Sequence, residues 1–188
     1  LGKEASEANL NQVRSPRILH LATHGEVLKE GKDAAMNNPM HRSFLMFGGA
    51  HWTVKQLEKG EVPPTHNDGI LTAAEASGLD LKNTWLVTLS ACKTGRGDTQ
   101  SGEGVMGLRR AFIQAGAQNL LMTLWNVSDK GTVPFMKEFY ERAIADGNAP
   151  EALAKVQTEF LVKARDISGT KKVVQLYGPF IMSFQGAE

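Results

Sequence analysis

One stretch, residues 86–97 with the sequence LVTLSACKTGRG, constrains the fold more than any other part of the chain. The apolar, β-rich run at residues 85–89 is typical of a parallel strand that is covered on both faces. Two small residues follow this run, and glycines break regular structure just beyond Cys92. Because open α/β sheets place their ligands at the carboxyl ends of their strands, the pattern predicts that Cys92 lies at a functional edge of the sheet. It is also the only cysteine in the chain.

Apolar runs and amphipathic stretches alternate along the rest of the chain. Strands are predicted at residues 17–23, 43–47, 119–125 and 180–184, and helices at residues 72–79, 103–115, 129–145 and 150–164. This alternation predicts an α/β fold, with a mostly parallel sheet flanked by helices on both faces and right-handed crossovers between its strands. With 188 residues, we expect one domain that spans residues 1–188. Residues 26–42 and 50–69 give no clear assignment.

A second candidate for chemistry, His24, is predicted at the end of the first strand, where His24 and Gly25 are expected to form a turn. Ends of neighbouring parallel strands lie on the same edge, so His24 and Cys92 are expected to converge there. A thiol is a useful nucleophile only as thiolate, and His24 is the candidate base. The N–H groups of Gly25 and Cys92 are natural donors to an oxyanion, and Gly25 has no side chain to block a substrate carbonyl. Taken singly, a buried cysteine is more often inert core and a strand-end histidine more often a turn residue, and these interpretations stay open.

Composition narrows the class of protein further. The 21 basic and 20 acidic residues nearly cancel, so neither a nucleic acid nor a membrane surface is expected as a partner. A single cysteine cannot form an internal disulfide, which favours a reducing, cytoplasmic setting. His20 and His24 share one strand face but lack Cys, Asp or Glu partners at ligand spacing, so no metal is predicted. The loop at residues 95–104 contains neither nucleotide-binding glycine pattern, so no cofactor is expected.

Three segments together resemble the CHAT domain, a caspase-like peptidase domain that is often attached to tetratricopeptide repeats and shares a clan with caspases and separase. They are LHLATHG at 19–25, LSACKTGRG at 89–97 and SGEGVMGLRRAFIQAGAQNLLMTLWNVSD at 101–129, in the order and approximate spacing of the family. The resemblance covers about residues 4–184. It implies a caspase-haemoglobinase fold and a cysteine endopeptidase, with His24 and Cys92 as the catalytic pair and Gly25 in the oxyanion hole. The sequence SACKT differs from the QACRG of true caspases, so no aspartate-specific pocket is implied.

The resemblance also carries expectations about substrate and partners. The segment WNVSD, residues 125–129, is similar to a part of separase in which an aspartate in the S1 pocket receives an arginine, so Asp129 is the candidate S1 residue for a basic P1 side chain. Asp129 also begins a predicted helix, and a capping role fits it equally well.

Family members carry an additional strand and helix ahead of the segment that begins here at Leu1. We therefore expect the C-terminal part of a larger protein that lacks the first strand–helix unit, with a tetratricopeptide-repeat region or a regulatory partner upstream. A protein or peptide is the implied substrate. Cleavage at Lys93 or Arg96, within the loop at residues 93–104, is a hypothesis for regulation. A catalytically silent interaction domain and a small-molecule amidase with the same residue pair stay open as alternative functions.

Overall fold

The computed structural model describes residues 4–27, 38–59, 61, 66–91, 102–125, 127 and 129–185. The strands in this part of the chain are β1 (Ile18–Val27), β2 (Ser43–Met46), β3 (Ile70–Thr72), β4 (Leu86–Ala91), β5 (Asn119–Thr123) and β6 (Phe180–Phe184). The helices are α1 (Glu7–Leu10), α2 (Pro39–Arg42), α3 (Ala50–Glu58), α4 (Ala73–Ala76), α5 (Gly102–Gln114), α6 (Asp129–Asp146), α7 (Ala149–Ser168) and α8 (Thr170–Tyr177). The predicted α/β class is confirmed.

The strands of the described residues form one sheet in the order β3-β2-β1-β4-β5-β6. At its centre, β4 pairs in parallel with both β1 and β5. The remaining pairings, β1 with β2, β2 with β3 and β5 with β6, are antiparallel. Parallel pairing is thus concentrated in the three central strands, whose carboxyl ends point to the same edge of the sheet.

Each face of the sheet packs against its own set of helices. One face meets α1, α4 and α5 in a core that contains the fully buried Phe112. The other face meets α6, α7 and α8, where Phe135 stacks on Phe180 with 4.2 Å between ring centroids. Val87 of β4 belongs to the first core and Leu86 to the second, as the alternation of side chains along a strand requires. The predicted helical layers on both faces are confirmed.

The first strand is longer than the sequence predicts. The expected turn at His24 and Gly25 is wrong, because β1 continues through both residues to Val27. Up to Thr23 the strand pairs in parallel with β4, and from His24 onwards it pairs antiparallel with β2. A strand keeps its extended backbone where it changes from one pairing partner to another. The change of partner is therefore not marked by turn residues in the sequence.

Helix ends follow the local sequence more closely. The Thr72 hydroxyl accepts a hydrogen bond from the Glu75 N–H, and the Glu75 carboxylate accepts one from the Thr72 N–H, which completes the predicted capping box of α4. Gly116 ends the turn after α5 with a φ of +110°, and a Cβ there would lie 2.9 Å from the backbone of Lys82. The sequence patterns predict neither β3 nor α8; β3 has only three residues, too few to show a period of two.

Candidate active site

The parallel ladder between β1 and β4 ends at one edge of the sheet, where β4 stops and β1 continues. The parallel ladder pairs Thr23 with Ala91 at this end, and adjacent strands lie about 4.8 Å apart. In the sequence, His24 follows Thr23 and Cys92 follows Ala91. Each of the two residues predicted to carry the chemistry therefore comes directly after one member of this pair. Cys92 itself, and the loop at 93–101 with the candidate cleavage positions, lie outside the described residues.

His24 lies where β1 changes partners. It is opposite Met46 in the antiparallel pairing with β2, and Met46 is in turn opposite Ile70 of β3. Residues opposite each other in a sheet present their side chains to the same face, so these three form one cross-strand row. The side chain of His24 is exposed. The structure thus places the predicted base at the edge where β4 ends, on a rigid strand instead of a turn.

Gly25, the predicted oxyanion donor, is part of the same strand. It is buried and lies opposite Leu45 of β2. The extended strand fixes the position of Gly25 relative to His24. Its role as a donor to an oxyanion stays a prediction.

Asp129, the candidate S1 residue, is the first residue of α6. This helix covers the sheet face that includes Leu86 and Leu121. Adjacent residues of a strand present their side chains to opposite faces. Thr23 shares the face of Val87, so His24 shares the face of Leu86. The side chain of Asp129 is outside the part that the structure describes, so the S1 and capping interpretations both stay predictions.

A polar network that the sequence analysis missed lies on this face, below His24. His20 Nε2 is 3.0 Å from the Ser90 Oγ, and His20 Nδ1 is 3.2 Å from the Tyr140 hydroxyl. The Tyr140 hydroxyl donates to the Thr88 Oγ1 at 2.8 Å. The network therefore links β1, β4 and α6, the three elements on which the candidate site depends.

Burial perturbs both ionisable members of the network. It lowers the pKa of His20 and raises the pKa of Tyr140. His20 as a whole residue is exposed, yet its ring is partly shielded, with the Tyr140 ring centroid 5.9 Å away. Both shifts favour the neutral forms, so the network is uncharged near neutral pH.

The sequence contains a signal that indicates His20 but none that indicates its hydrogen-bond partner, Tyr140. The period of two along a strand puts His20 on the face of His24, but from spacing alone that pair of histidines suggests only a metal site. Tyr140 falls on the apolar stripe of its helix, which indicates packing and not a hydrogen bond. Sequence patterning does not tell which strand residue a helix residue will meet, and the two are 120 positions apart.

The part of the chain that the structure describes contains no group of three or more His, Cys, Asp or Glu side chains that is arranged to hold a metal ion. Within the same part of the chain, none of the helices combines the length and apolar character needed to cross a membrane.

A parallel centre with antiparallel outer strands, helices on both faces and a histidine directly after the end of the central parallel ladder define a caspase-like α/β domain. Comparison with protein families gives the particular family: residues 1–173 match the CHAT domain, and the chain belongs to that family. CHAT is a caspase-like domain related to peptidases. The family predicted from the three sequence segments is therefore confirmed.

Among known proteins, the chain is similar to tetratricopeptide repeat protein 28 of Mus musculus. The two are 33% identical over 99 residues, which is 50% of this chain and 4% of the mouse protein. The chain thus corresponds to a small part of that relative's length. The match agrees with the association of CHAT domains with tetratricopeptide repeats.

Proposed function

We propose that this domain is a cysteine endopeptidase in which His24 and Cys92 form the catalytic pair. The observation that carries the proposal is the pairing of Thr23 with Ala91, which sets the residues directly before His24 and Cys92 next to each other. The exposure of His24 supports it as well, because a base that serves a substrate must be reachable. The family supplies the peptidase chemistry by analogy.

The proposed reaction has two stages. His24 takes the proton of the Cys92 thiol, and the thiolate sulfur bonds to the scissile carbonyl carbon. The N–H groups of Gly25 and Cys92 stabilise the negative oxygen of the tetrahedral intermediate. His24 then returns its proton to the leaving amine as the C–N bond breaks, which leaves a thioester. Water, losing a proton to His24, cleaves the thioester and releases the acid and the free thiol.

Substrate selection and regulation complete the proposal. A carboxylate at Asp129, held at the start of α6, would select Arg or Lys at P1 through a charge-assisted hydrogen bond. An upstream tetratricopeptide-repeat region or a regulatory partner would control the domain, by analogy with the repeat protein that it matches. The single cysteine favours a reducing, cytoplasmic setting for this chemistry.

A peptide library with every residue at P1 tests the activity and the preference together. We expect cleavage after Arg and Lys by the wild type and none by Cys92→Ala. Asp129→Asn should lose the basic preference, whereas the control Asp146→Asn, at the other end of the same helix, should keep it. Full activity of Cys92→Ala would overturn the mechanism.

Alkylation by iodoacetamide separates an active pair from a silent domain without any substrate. Because Cys92 is the only cysteine, labelling reports on this thiol alone. At pH 6 an ordinary cysteine, with a pKa of about 8.5, is almost entirely the unreactive thiol. We expect rapid labelling of the wild type at pH 6 and slow labelling of His24→Ala, with the exposed His66→Ala as the matched control. Equal, slow labelling of all three would favour a silent interaction domain.

A further inference from the structure

Both ring nitrogens of His20 have a hydrogen-bond partner, although the residue belongs neither to a fully buried core nor to the catalytic pair. Nε2 meets the Ser90 Oγ at 3.0 Å and Nδ1 meets the Tyr140 hydroxyl at 3.2 Å. A surface histidine that served only solubility would not need two fixed partners on two other elements. The arrangement therefore holds the ring in one orientation.

The directions of these hydrogen bonds follow from counting protons. The Tyr140 hydroxyl gives its one proton to Thr88, so it can only accept from His20. The neutral His20 ring then carries its proton on Nδ1, which leaves Nε2 as an acceptor. The Ser90 hydroxyl consequently donates to Nε2. Every group in the chain from Ser90 to Thr88 has a defined role, and the burial-lowered pKa of His20 is consistent with its neutral form.

The bond between His20 and Ser90 runs diagonally across the parallel ladder. In that ladder His20 is opposite Thr88, and Ser90 is opposite Ala22. A diagonal side-chain link resists displacement of β4 along β1 in addition to the backbone hydrogen bonds of the ladder. Ser90 lies two positions before Cys92, and His20 lies four positions before His24. The link therefore lies in the part of the ladder that leads directly to both residues.

We propose that His20 is a positioning residue: through Ser90 it fixes the offset of β4 against β1, and with it the alignment of His24 and Cys92. The inference rests on the proposed function. His20 touches no substrate in this scheme and acts only through the strands. A misplacement of about 1 Å between reacting groups lowers rates on the order of 100-fold, so a small slip of one strand is enough to matter.

Two substitutions at position 20 separate this role from simple stabilisation. His20→Gln places an amide oxygen near the position of Nε2 and keeps an acceptor for Ser90. His20→Asn is one carbon shorter; its amide lies near the position of Nδ1, so it keeps the contact with Tyr140 and loses Ser90. Both variants remove the ring, so a role in packing alone predicts the same result for both.

The experiment measures the iodoacetamide reactivity of Cys92 at pH 6 and, on a cleaved peptide, kcat and KM. We expect His20→Asn to lose about 10-fold in both reactivity and kcat, with KM within about twofold. His20→Gln should stay within about threefold of the wild type, and Ser90→Ala should behave like His20→Asn. The ring-nitrogen shifts of His20 by ¹⁵N NMR should show the proton on Nδ1.

The control for lost stability is Gln157→Ala. The Gln157 amide donates to the carbonyl oxygens of Tyr177 and Phe180, away from β1 and β4. It should lower the melting temperature without changing reactivity or kcat at a temperature where the variant is folded. Equal losses in His20→Asn and His20→Gln, or a loss shared by Gln157→Ala, would overturn the positioning role.

The outcome also distinguishes failure of the inference from failure of the proposed function. If labelling of the wild type depends on His24 but His20→Asn labels as fast as the wild type, only the positioning role is wrong. If labelling of the wild type is slow and unaffected by His24→Ala, there is no active pair to position, and both proposals are wrong.

Discussion

One face of the sheet contains two regions of opposite character. Over β4 to β6, the face is covered by helices, and Phe135 packs against both Phe180 and Phe160 with ring centroids 4.2 and 5.4 Å away. Along β1 on the same face, His20, Ala22 and His24 are all exposed. The packed region contributes to stability through apolar contacts, whereas the open region keeps ionisable groups within reach of solvent. The residues that stabilise the fold and the residues proposed for the chemistry thus lie in neighbouring areas of the same sheet face.

The contact between His20 and Tyr140 marks the boundary between these two regions. Tyr140 packs its ring against Phe139 in the covered region, with 5.4 Å between centroids, and presents its hydroxyl to His20 in the open one. An amphipathic side chain suits this place, because the ring is apolar and the hydroxyl is polar. Substitutions on the two sides of this boundary should therefore have different effects.

The largest effect is expected from His24 in the open region. His24→Ala should lower kcat/KM on the order of 10³-fold, since it removes the proposed base. The free energy of unfolding should change by less than about 1 kcal/mol because the side chain is exposed. Peptide hydrolysis and urea denaturation measure the two quantities. A large loss of stability with little loss of activity would reverse the roles assigned to the two regions.

The next largest effect is expected from Phe135 in the packed region. The side chain is fully buried, and Phe135→Ala should cost about 3–5 kcal/mol of unfolding free energy through lost burial and the cavity that remains. The control is Val133→Ala on the same helix, where the side chain is 69% exposed and little change is expected. At low temperature the folded Phe135→Ala protein should keep its activity. A comparably large loss in Val133→Ala would contradict the assignment of the core.

An intermediate effect is expected at the boundary. Tyr140→Phe keeps the packed ring but removes the hydroxyl, which leaves His20 Nδ1 without its acceptor in this network. We expect a loss of about 1 kcal/mol in unfolding free energy. In the wild type, burial raises the pKa of Tyr140, so absorbance titration should show one tyrosine ionising above the usual pH of about 10. That step should be missing from Tyr140→Phe.

The smallest effect is expected in the pH dependence of stability. Because burial lowers the pKa of His20 below its ordinary value of 6.5, the unfolded chain binds more protons at this ring than the folded protein does. The stabilising contribution of the neutral ring is present above pH 6.5 and is lost as the pH falls through the folded-state pKa. Solvent screening of an exposed residue keeps this contribution below about 1 kcal/mol.

Urea denaturation of the wild type and His20→Gln between pH 7 and pH 5 measures this contribution. The stability advantage of the wild type should shrink as the pH falls. Glu7, whose pKa is raised by burial, titrates in both proteins and cancels in the difference. A difference that grows toward acid pH would mean that the His20 pKa is shifted upwards instead.

Sequence patterns predicted the packed region better than the open one. The strands β4, β5 and β6 and the helices α6 and α7 were expected within a few residues of their observed bounds, since long apolar runs and helical periodicity are local signals. The continuation of β1 past His24 was missed because partner exchange is a tertiary event. Likewise, the apolar stripe predicts that Tyr140 packs on one face of its helix but does not show that its hydroxyl contacts His20.

The candidate site could also be predicted from the sequence only in part. The sequence predicted that His24 and Cys92 each follow a central strand, and the pairing of Thr23 with Ala91 agrees with that arrangement. The predicted contact between the two side chains, the S1 role of Asp129 and the oxyanion role of Gly25 stay predictions. They depend on the positions of individual atoms around Cys92 and at the start of α6, which spacing along the chain does not determine.

The pairing of β1 with β4 has a consequence for how the protein folds. His20 and Ser90 are 70 positions apart, and β2 and β3 lie between them along the chain. Contacts between such distant residues form slowly, because the chain loses entropy in closing the loop before the contacts stabilise it. A chain in which β1 and β4 have not yet paired therefore has no aligned thiol and imidazole. Peptidase activity, on this proposal, arises only after these two distant strands have met, which spares the cell from proteolysis by chains that are still incomplete.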